Sequence, residues 1–314
     1  MEERLINLTP LPPFRLDHTV WVLRRRPDNI VDRWDGETYR RVLVDAHGKP
    51  FEIGVRQSGG MDAPQLHVSI RSDTVNDEME QLAVSTLERT LGINLSLDDF
   101  YRMAGQDAWL KPLAEQFRGF KPTRYPSNFE TLVNAIACQQ LTLTMGIRIL
   151  NEMIKSYGLA FASDDGVFYA FPRPQDLANA DIEDLRAMKF SYQKARYITG
   201  IAQAIVGGEL DLTAIESLDD QSAVQRLCEL KGVGRWTAEY YLLRGLGRTH
   251  IFPGDDVGAR NNLQRLMGLD DKLDHDGAHQ VLEPWKGFGG LVYFHLLMKG
   301  IEDKSLRVTS KEEG

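Results

Sequence analysis

The chain reads as an α+β protein in which an antiparallel sheet with helices comes first and an all-helical region takes over the remaining two-thirds. Three observations predict this. Residues 38–71 contain three runs of partial apolar alternation, Thr38 to Val44, Phe51 to Arg56 and Gln65 to Ile70, separated by Asp45-Ala-His-Gly48 and Gly59-Gly60. That is the pattern of strands with one wet face joined by turns. Beyond about Phe117 the composition changes to helix-permitting segments divided by Gly-rich or Pro-containing links. Finally, 42% apolar residues over 314 positions supply cores for two or three compact regions.

After the three strands, Asn76 to Leu91 predicts a helix with Met79, Leu82, Ala83, Thr86 and Leu87 on its apolar side. Further helices are expected within Phe129 to Tyr157, Asp181 to Met188, Tyr192 to Val206, Ser222 to Glu229, Arg235 to Leu243, Val257 to Leu266 and Gly277 to Leu282. Phe171-Pro-Arg-Pro174 is a firm break. The expected division is an N-terminal α+β domain over 1–117, a helical region with a cleft over 118–308, and a polar tail over 309–314.

Bulk properties narrow the classes. Cys138 and Cys228 form neither a disulfide framework nor a metal cage. Leu291 to Met298 is too short an apolar run to cross a bilayer, and the start Met-Glu-Glu-Arg lacks a secretion signal. The expectation is an intracellular protein of cytoplasm or nucleoid, monomeric, with no membrane and no obligate protein partner. A net charge of −8 argues against nonspecific coating of nucleic acid but leaves room for a small footprint of backbone amides and a few arginines.

The most informative segment is Leu230-Lys-Gly-Val-Gly234-Arg-Trp-Thr-Ala-Glu-Tyr240, followed by Phe252-Pro-Gly-Asp-Asp256. Gly232 and Gly234 flank Val233 just before a helical pattern, so the backbone can turn sharply and approach an anion without a Cβ in the way. Amides here and at the helix start, with Arg235 and Thr237, could hold DNA phosphates. An ordinary helix-helix turn is the plain alternative. The acidic pair Asp255-Asp256 adds a place for chemistry, with residues around Asp255 expected to cap the next helix, a task that either aspartate alone could perform.

At these residues the chain resembles the helix-hairpin-helix DNA glycosylase superfamily, most closely its 3-methyladenine DNA glycosylase II, or AlkA-like, branch. The resemblance extends to Phe129-Glu-Thr-Leu-Val-Asn-Ala-Ile-Ala-Cys-Gln-Gln-Leu141, Phe171-Pro-Arg-Pro-Gln-Asp-Leu-Ala178, Lys194-Ala-Arg-Tyr-Ile198 and Glu283-Pro-Trp-Lys-Gly-Phe288. It implies that Asp256 is the catalytic carboxylate, stabilising an oxocarbenium-like sugar and directing water. Bifunctional relatives place a lysine nucleophile where this chain has Trp236, so the resemblance implies a monofunctional enzyme that leaves an abasic site. Lys194 looks like an ordinary helical surface residue and no substitute for that lysine.

The same resemblance implies damaged double-stranded DNA as partner and a flipped base held by Trp236 and Tyr240, with Phe294 and His295 at two further pocket positions and Trp285 supporting the wall. Both Trp236 and Tyr240 could instead be core. Val257 stands where an aromatic would follow the catalytic aspartate, a departure from the family pattern that bears on lesion preference. The turn Cys138-Gln139-Gln140-Leu141 matches the duplex wedge, with Gln140 ranked first and Leu141 second. No cofactor is required for the chemistry; relatives hold a structural Na+ or K+ through carbonyls that fall on Cys228, Leu230 and Val233. A four-cysteine iron-sulfur cluster is missing from the C-terminal region. An oxidised-base glycosylase of the 8-oxoguanine type and a catalytically silent DNA-damage-binding protein are the alternatives.

Overall fold

In the computed structural model the backbone of residues 1–163 and 165–312 is described, with side chains up to residue 300. The N-terminal part contains β1 (Glu2–Leu8), α1 (Leu16–Arg24), β2 (Arg33–Trp34), β3 (Thr38–Val44), β4 (Pro50–Ser58), β5 (Gln65–Ser72) and α2 (Asp77–Leu91). The strands form one antiparallel sheet in the order β1-β5-β4-β3-β2. The three predicted strands are its centre. Sequence reasoning missed β1 at the edge, where no residue is fully buried and the alternation is correspondingly faint.

Asn76 starts α2 as expected, its side chain accepting from the Met79 N–H at 2.8 Å. One face of the sheet packs under α1 and α2, with Leu16, Val20 and Leu23 meeting Phe51, Ile53, Val68, Met79 and Leu87.

Helices follow: α3 (Asp98–Ala104), α4 (Leu110–Gln116), α5 (Asn128–Cys138) and α6 (Leu143–Tyr157), then a small hairpin of β6 (Ala160–Ser163) and β7 (Gly166–Tyr169). That hairpin interrupts a stretch expected to be helical throughout. After it come α7 (Pro174–Leu177), α8 (Ile182–Ala187), α9 (Tyr192–Val206), α10 (Asp220–Cys228), α11 (Arg235–Arg244), α12 (Val257–Met267), α13 (His275–Leu282) and α14 (Gly289–Glu312). The expected polar tail falls on the end of α14 and on residues 313–314, which lie outside the described residues.

The helices build two cores. One joins α5, α6, α9, α10 and α11 through residues such as Leu132, Ile136, Leu150, Ile198, Leu227 and Leu242. The other joins α3 and α4 to α12, α13 and α14 through Phe100, Leu110, Phe120, Leu263, Leu282 and Phe294, with Val22 of α1 added. Helix α1 therefore reaches two cores at once, Leu23 facing the sheet and Val22 the C-terminal helices. Its end lies where the regions converge, and a cavity opens there.

A buried ionic link ties the sheet to the helical region. Arg41 of β3 donates to Asp32 Oδ1 and to Glu130 Oε2 of α5, both at 2.6 Å, with all three side chains at most 5% exposed. Among the described residues, no helix is long and apolar enough to cross a membrane.

Candidate active site

The turn between α10 and α11 is built by glycine. Gly232 has φ +88°, and a Cβ there would lie 2.2 Å from the Tyr197 ring of α9. The Val233 N–H donates to Leu230 O at 3.0 Å, and the Val233 side chain is buried against the first helical core. Gly234 is exposed at the N-cap of α11 with open space where its Cβ would be, so the first amides of the helix face outward. Arg235 is exposed beside it and pairs with Asp255 at 2.8 Å. Thr237, expected to face DNA, is buried; its hydroxyl accepts from Gln139 Nε2 at 2.9 Å.

The carbonyls of Cys228, Leu230 and Val233 lie at the end of α10 and on this turn. That of Leu230 already accepts the Val233 N–H, and a carbonyl keeps a second lone pair, so the set remains compatible with a monovalent cation.

Helix α11 then carries Trp236 and Tyr240, one turn apart on the same face. Their rings stack with centroids 5.4 Å apart and planes at 29°. The Tyr240 hydroxyl meets that of Tyr125 at 3.1 Å. Both aromatics line a cavity of about 1130 Å³ together with Asn134, Gln140, Leu141, Asp256 and Tyr293.

Asp256 performs two tasks. Its Oδ1 accepts from the Ala259 N–H at 2.9 Å and caps α12, while Oδ2 accepts from the Tyr293 hydroxyl at 3.3 Å inside the cavity. The cap expected around Asp255 is thus Asp256 itself. Asp255 is held below the usual carboxylate range, first by its hydrogen bonds from Arg235 and against some desolvation. Burial and the nearby Asp256 charge push the Tyr293 phenol well above its ordinary value, so it stays protonated and donates.

Three expected pocket residues do not line the cavity. Phe294 and His295 are fully buried in the C-terminal core, where the His295 ring lies tilted at 36° to that of Phe100 with centroids 4.8 Å apart and its Nδ1–H donates to Leu291 O at 2.7 Å. Burial pushes His295 down to about 4. Trp285 is also in that core, its Nε1–H donating to Asp107 Oδ2 at 2.7 Å. The aromatic that α14 presents to the cavity is Tyr293, one residue earlier than expected. Val257 lines the mouth and is 60% exposed, too short to form an aromatic wall.

The turn expected to act as the duplex wedge follows α5 directly. Helix α5 ends at Cys138, and Gln140 adopts φ +54° with its side chain exposed, next to Leu141 at 39% exposure. Gln139 fixes the turn to the hairpin by donating to Gly232 O at 2.8 Å, and Lys194 Nζ donates to Ala137 O and Gln139 O at 2.9 and 2.6 Å. Lys194, expected on an ordinary helical surface, is instead half-buried and satisfies carbonyls at the end of α5.

Sequence reasoning also missed Arg25, Asn134 and Arg244. Arg25 terminates α1 in a left-handed conformation with φ 62°. Among the described residues three non-glycines have such a φ, and two of them, Arg25 and Gln140, line this cavity. Strained backbone of this kind concentrates at functional sites. The run Arg24-Arg25-Arg26 was the available signal. Arg24 donates to Trp34 O at 3.0 Å and Arg26 to Asp28 and Thr144, which leaves the middle arginine to turn inward.

The comparisons with known proteins meet this geometry. The family described as HhH-GPD superfamily base excision DNA repair protein matches residues 133–287. DNA-3-methyladenine glycosylase 1 of Schizosaccharomyces pombe is 32% identical over 171 residues, 53% of this chain and 71% of that one. The chain belongs to the HhH-GPD superfamily. The DNA-3-methyladenine glycosylase of Bacillus subtilis is 28% identical over 213 residues, 68% of this chain and 70% of that one. In fold, this HhH-GPD protein superposes on a 3-methyladenine DNA-glycosylase of Archaeoglobus fulgidus with a TM-score of 0.81 at 23% identity, covering 93% and 97% of the two chains.

Among the described residues a further cluster lies next to the loop that carries Asp256. Glu239, His275 and His279 place one donor atom each within 4.8 Å of one another. Hydrogen bonds account for much of it: His275 meets Glu239 Oε1 at 3.1 Å and Asp276 Oδ1 at 2.9 Å, while Glu239 Oε2 accepts from the Gly254 N–H at 3.0 Å. The cluster braces the loop that carries the acidic pair.

Proposed function

We propose that the chain is a monofunctional DNA N-glycosylase that releases alkylated purines such as 3-methyladenine from duplex DNA by base flipping and hydrolysis, leaving an abasic site. The observation that carries this reading is the cavity itself. It sets a carboxylate, Asp256, beside a stacked aromatic pair, Trp236 and Tyr240, and includes no lysine among its described lining residues. A Schiff-base nucleophile is therefore missing from the place where strand cleavage would need it.

The extruded base would stack against Trp236 and Tyr240, while Gln140 and Leu141 fill its vacancy in the duplex. The amide of Gly234 and the first amides of α11, with Arg235, would hold the phosphate backbone. Asp256 Oδ2 would face the anomeric carbon, stabilise positive charge on the sugar and orient water. A sodium or potassium ion at the carbonyls of Cys228, Leu230 and Val233 would stiffen the hairpin, outside the chemistry. The names carried by the yeast and Bacillus relatives support the alkylated-base assignment.

The test is release of bases from duplex oligonucleotides carrying alkylated, deaminated or oxidised lesions, with strand integrity followed before and after alkali. Alkylated-base release, with nicks only after alkali, is expected. Direct nicking at an oxidised base overturns both substrate and mechanism, and binding without release makes the chain a silent reader.

A further inference from the structure

We propose that Arg25 acts on the leaving base: its guanidinium hydrogen-bonds the edge of the extruded purine and stabilises the negative charge that an uncharged lesion carries away. This rests on the glycosylase reading above.

The geometry starts with an unpaired charge. Among the described residues, Arg25 donates to Asn134 Oδ1 at 2.8 Å, approaches the Tyr240 hydroxyl at 3.5 Å and Cys138 Sγ at 3.9 Å, and meets no carboxylate. Its Nε is buried without a hydrogen-bond partner. A guanidinium carries five N–H donors, and a buried donor left unsatisfied is costly unless something else fills the space. The group lines the same cavity as Asp256 and lies beside Tyr240, the stacking partner of Trp236. Arg244 reinforces the sign of the field: it lines the cavity, lies 5.0 Å from the Tyr125 ring and donates to Val22 O at 3.3 Å.

The two charged groups enter from different walls. Arg25 is held by α5 and Tyr240, whereas Asp256 is held by α12 and Tyr293. When the C1′–N bond breaks, its electron pair goes to the base and positive charge remains on the sugar. Water then bonds to C1′ and gives up a proton to Asp256 or to solvent. A cationic alkylated purine departs as a neutral molecule. An uncharged lesion such as hypoxanthine departs as an anion and takes a proton from solvent afterwards. A guanidinium at the base end stabilises that second departure in the transition state and has little developing negative charge to act on in the first. Arg25 thus sets the balance between charged and uncharged lesions.

The experiment compares single-turnover release of hypoxanthine and of 7-methylguanine from one duplex context by the parent, Arg25→Gln and Arg25→Lys. Arg25→Gln should slow hypoxanthine release by about 10²-fold and 7-methylguanine release by several-fold less. Arg25→Lys, which keeps the charge without the fork, should fall between parent and Gln for hypoxanthine. The cationic lesion reports that each variant is folded. Equal losses on both lesions would overturn the proposal and make Arg25 a cavity-shaping residue, as would a parent that releases 7-methylguanine and no hypoxanthine. Release of neither lesion by the parent would overturn the glycosylase reading, and this proposal with it.

Discussion

Two arginines of the N-terminal part, Arg41 buried and Arg25 half-buried, meet opposite surroundings. Arg41 is 2% exposed and clasped by two carboxylates, Asp32 and Glu130. Arg25 meets an amide oxygen, a distant phenol, a thiol and, at 5.7 Å, the Tyr125 ring, with no carboxylate among its described partners. Nothing in residue type separates them. A charge whose partners are all inside the fold holds the fold together, whereas one short of carboxylate partners at a cavity wall is free to pair with a bound ligand.

The comparison breaks most visibly at Arg41. Arg41→Met leaves Asp32 and Glu130 buried without their counter-charge, and Glu130 is already pushed up to about 7 by burial, with Arg41 the main opposing influence. Removing one partner of such a group costs about 3–5 kcal/mol, measurable as a loss of unfolding free energy in denaturant. Arg25→Gln, by contrast, should change stability by no more than about 1 kcal/mol, because no buried carboxylate loses its partner. Equal destabilisation by both variants would erase the distinction between them.

Asp256→Asn separates fold from chemistry at the other charged group of the cavity. Asparagine caps a helix as well as aspartate does, so α12 should keep its start. The carboxylate charge is lost, and base release should slow by about 10²–10³-fold, or roughly 3–4 kcal/mol. Binding to duplex DNA with an abasic-site analogue should be retained. A variant that loses binding along with turnover would show that the cap, and not the charge, was the main contribution.

How far the site was legible in the sequence follows from which signals are local. The glycine turn, the acidic pair and the α5–α6 turn depend on neighbouring residues, and the structure brings Gly232, Asp256 and Gln140 into one region around the cavity. The predicted strands and α2 were equally local. The phase of α14 was not, because Leu291 to Met298 is apolar on nearly every side and residue type cannot say which of Tyr293, Phe294 and His295 faces the cavity. Each step along a helix turns the side chain by about 100°, so an offset of one position moves a residue from pocket to core. Arg25 was hidden for a similar reason: the run Arg24-Arg25-Arg26 does not say which side chain turns inward, and the left-handed end of α1 selects the middle one.

His295 turns that correction into a measurable pH effect. Its pKa falls from about 6.5 in the unfolded chain to about 4 in the fold through burial. The unfolded chain therefore binds the proton more readily, and the stability tied to neutral His295 is present above about pH 6.5 and is lost as pH falls toward 4. Between pH 7 and pH 5 the loss should be about 2 kcal/mol, seen as a fall in unfolding free energy that His295→Gln reduces. A pH profile unchanged by that substitution would return His295 to an exposed position such as the pocket.

The smallest expected effect belongs to the wedge, where position and not charge is at issue. The turn is anchored at its base by Gln139 to Gly232 O and by Lys194 to two carbonyls, while Gln140 and Leu141 project without such anchors. Truncating them should leave the fold untouched and weaken only the filling of the duplex gap. Gln140→Ala should slow release of a fully paired lesion by about 5- to 10-fold, roughly 1 kcal/mol, with Leu141→Ala smaller. A mismatch opposite the lesion lowers the cost of opening the duplex, so both losses should shrink there. If instead the losses are the same for paired and mismatched lesions, the turn serves the cavity wall and not the duplex, and the strain at Gln140 belongs with that at Arg25 on the base side of the site.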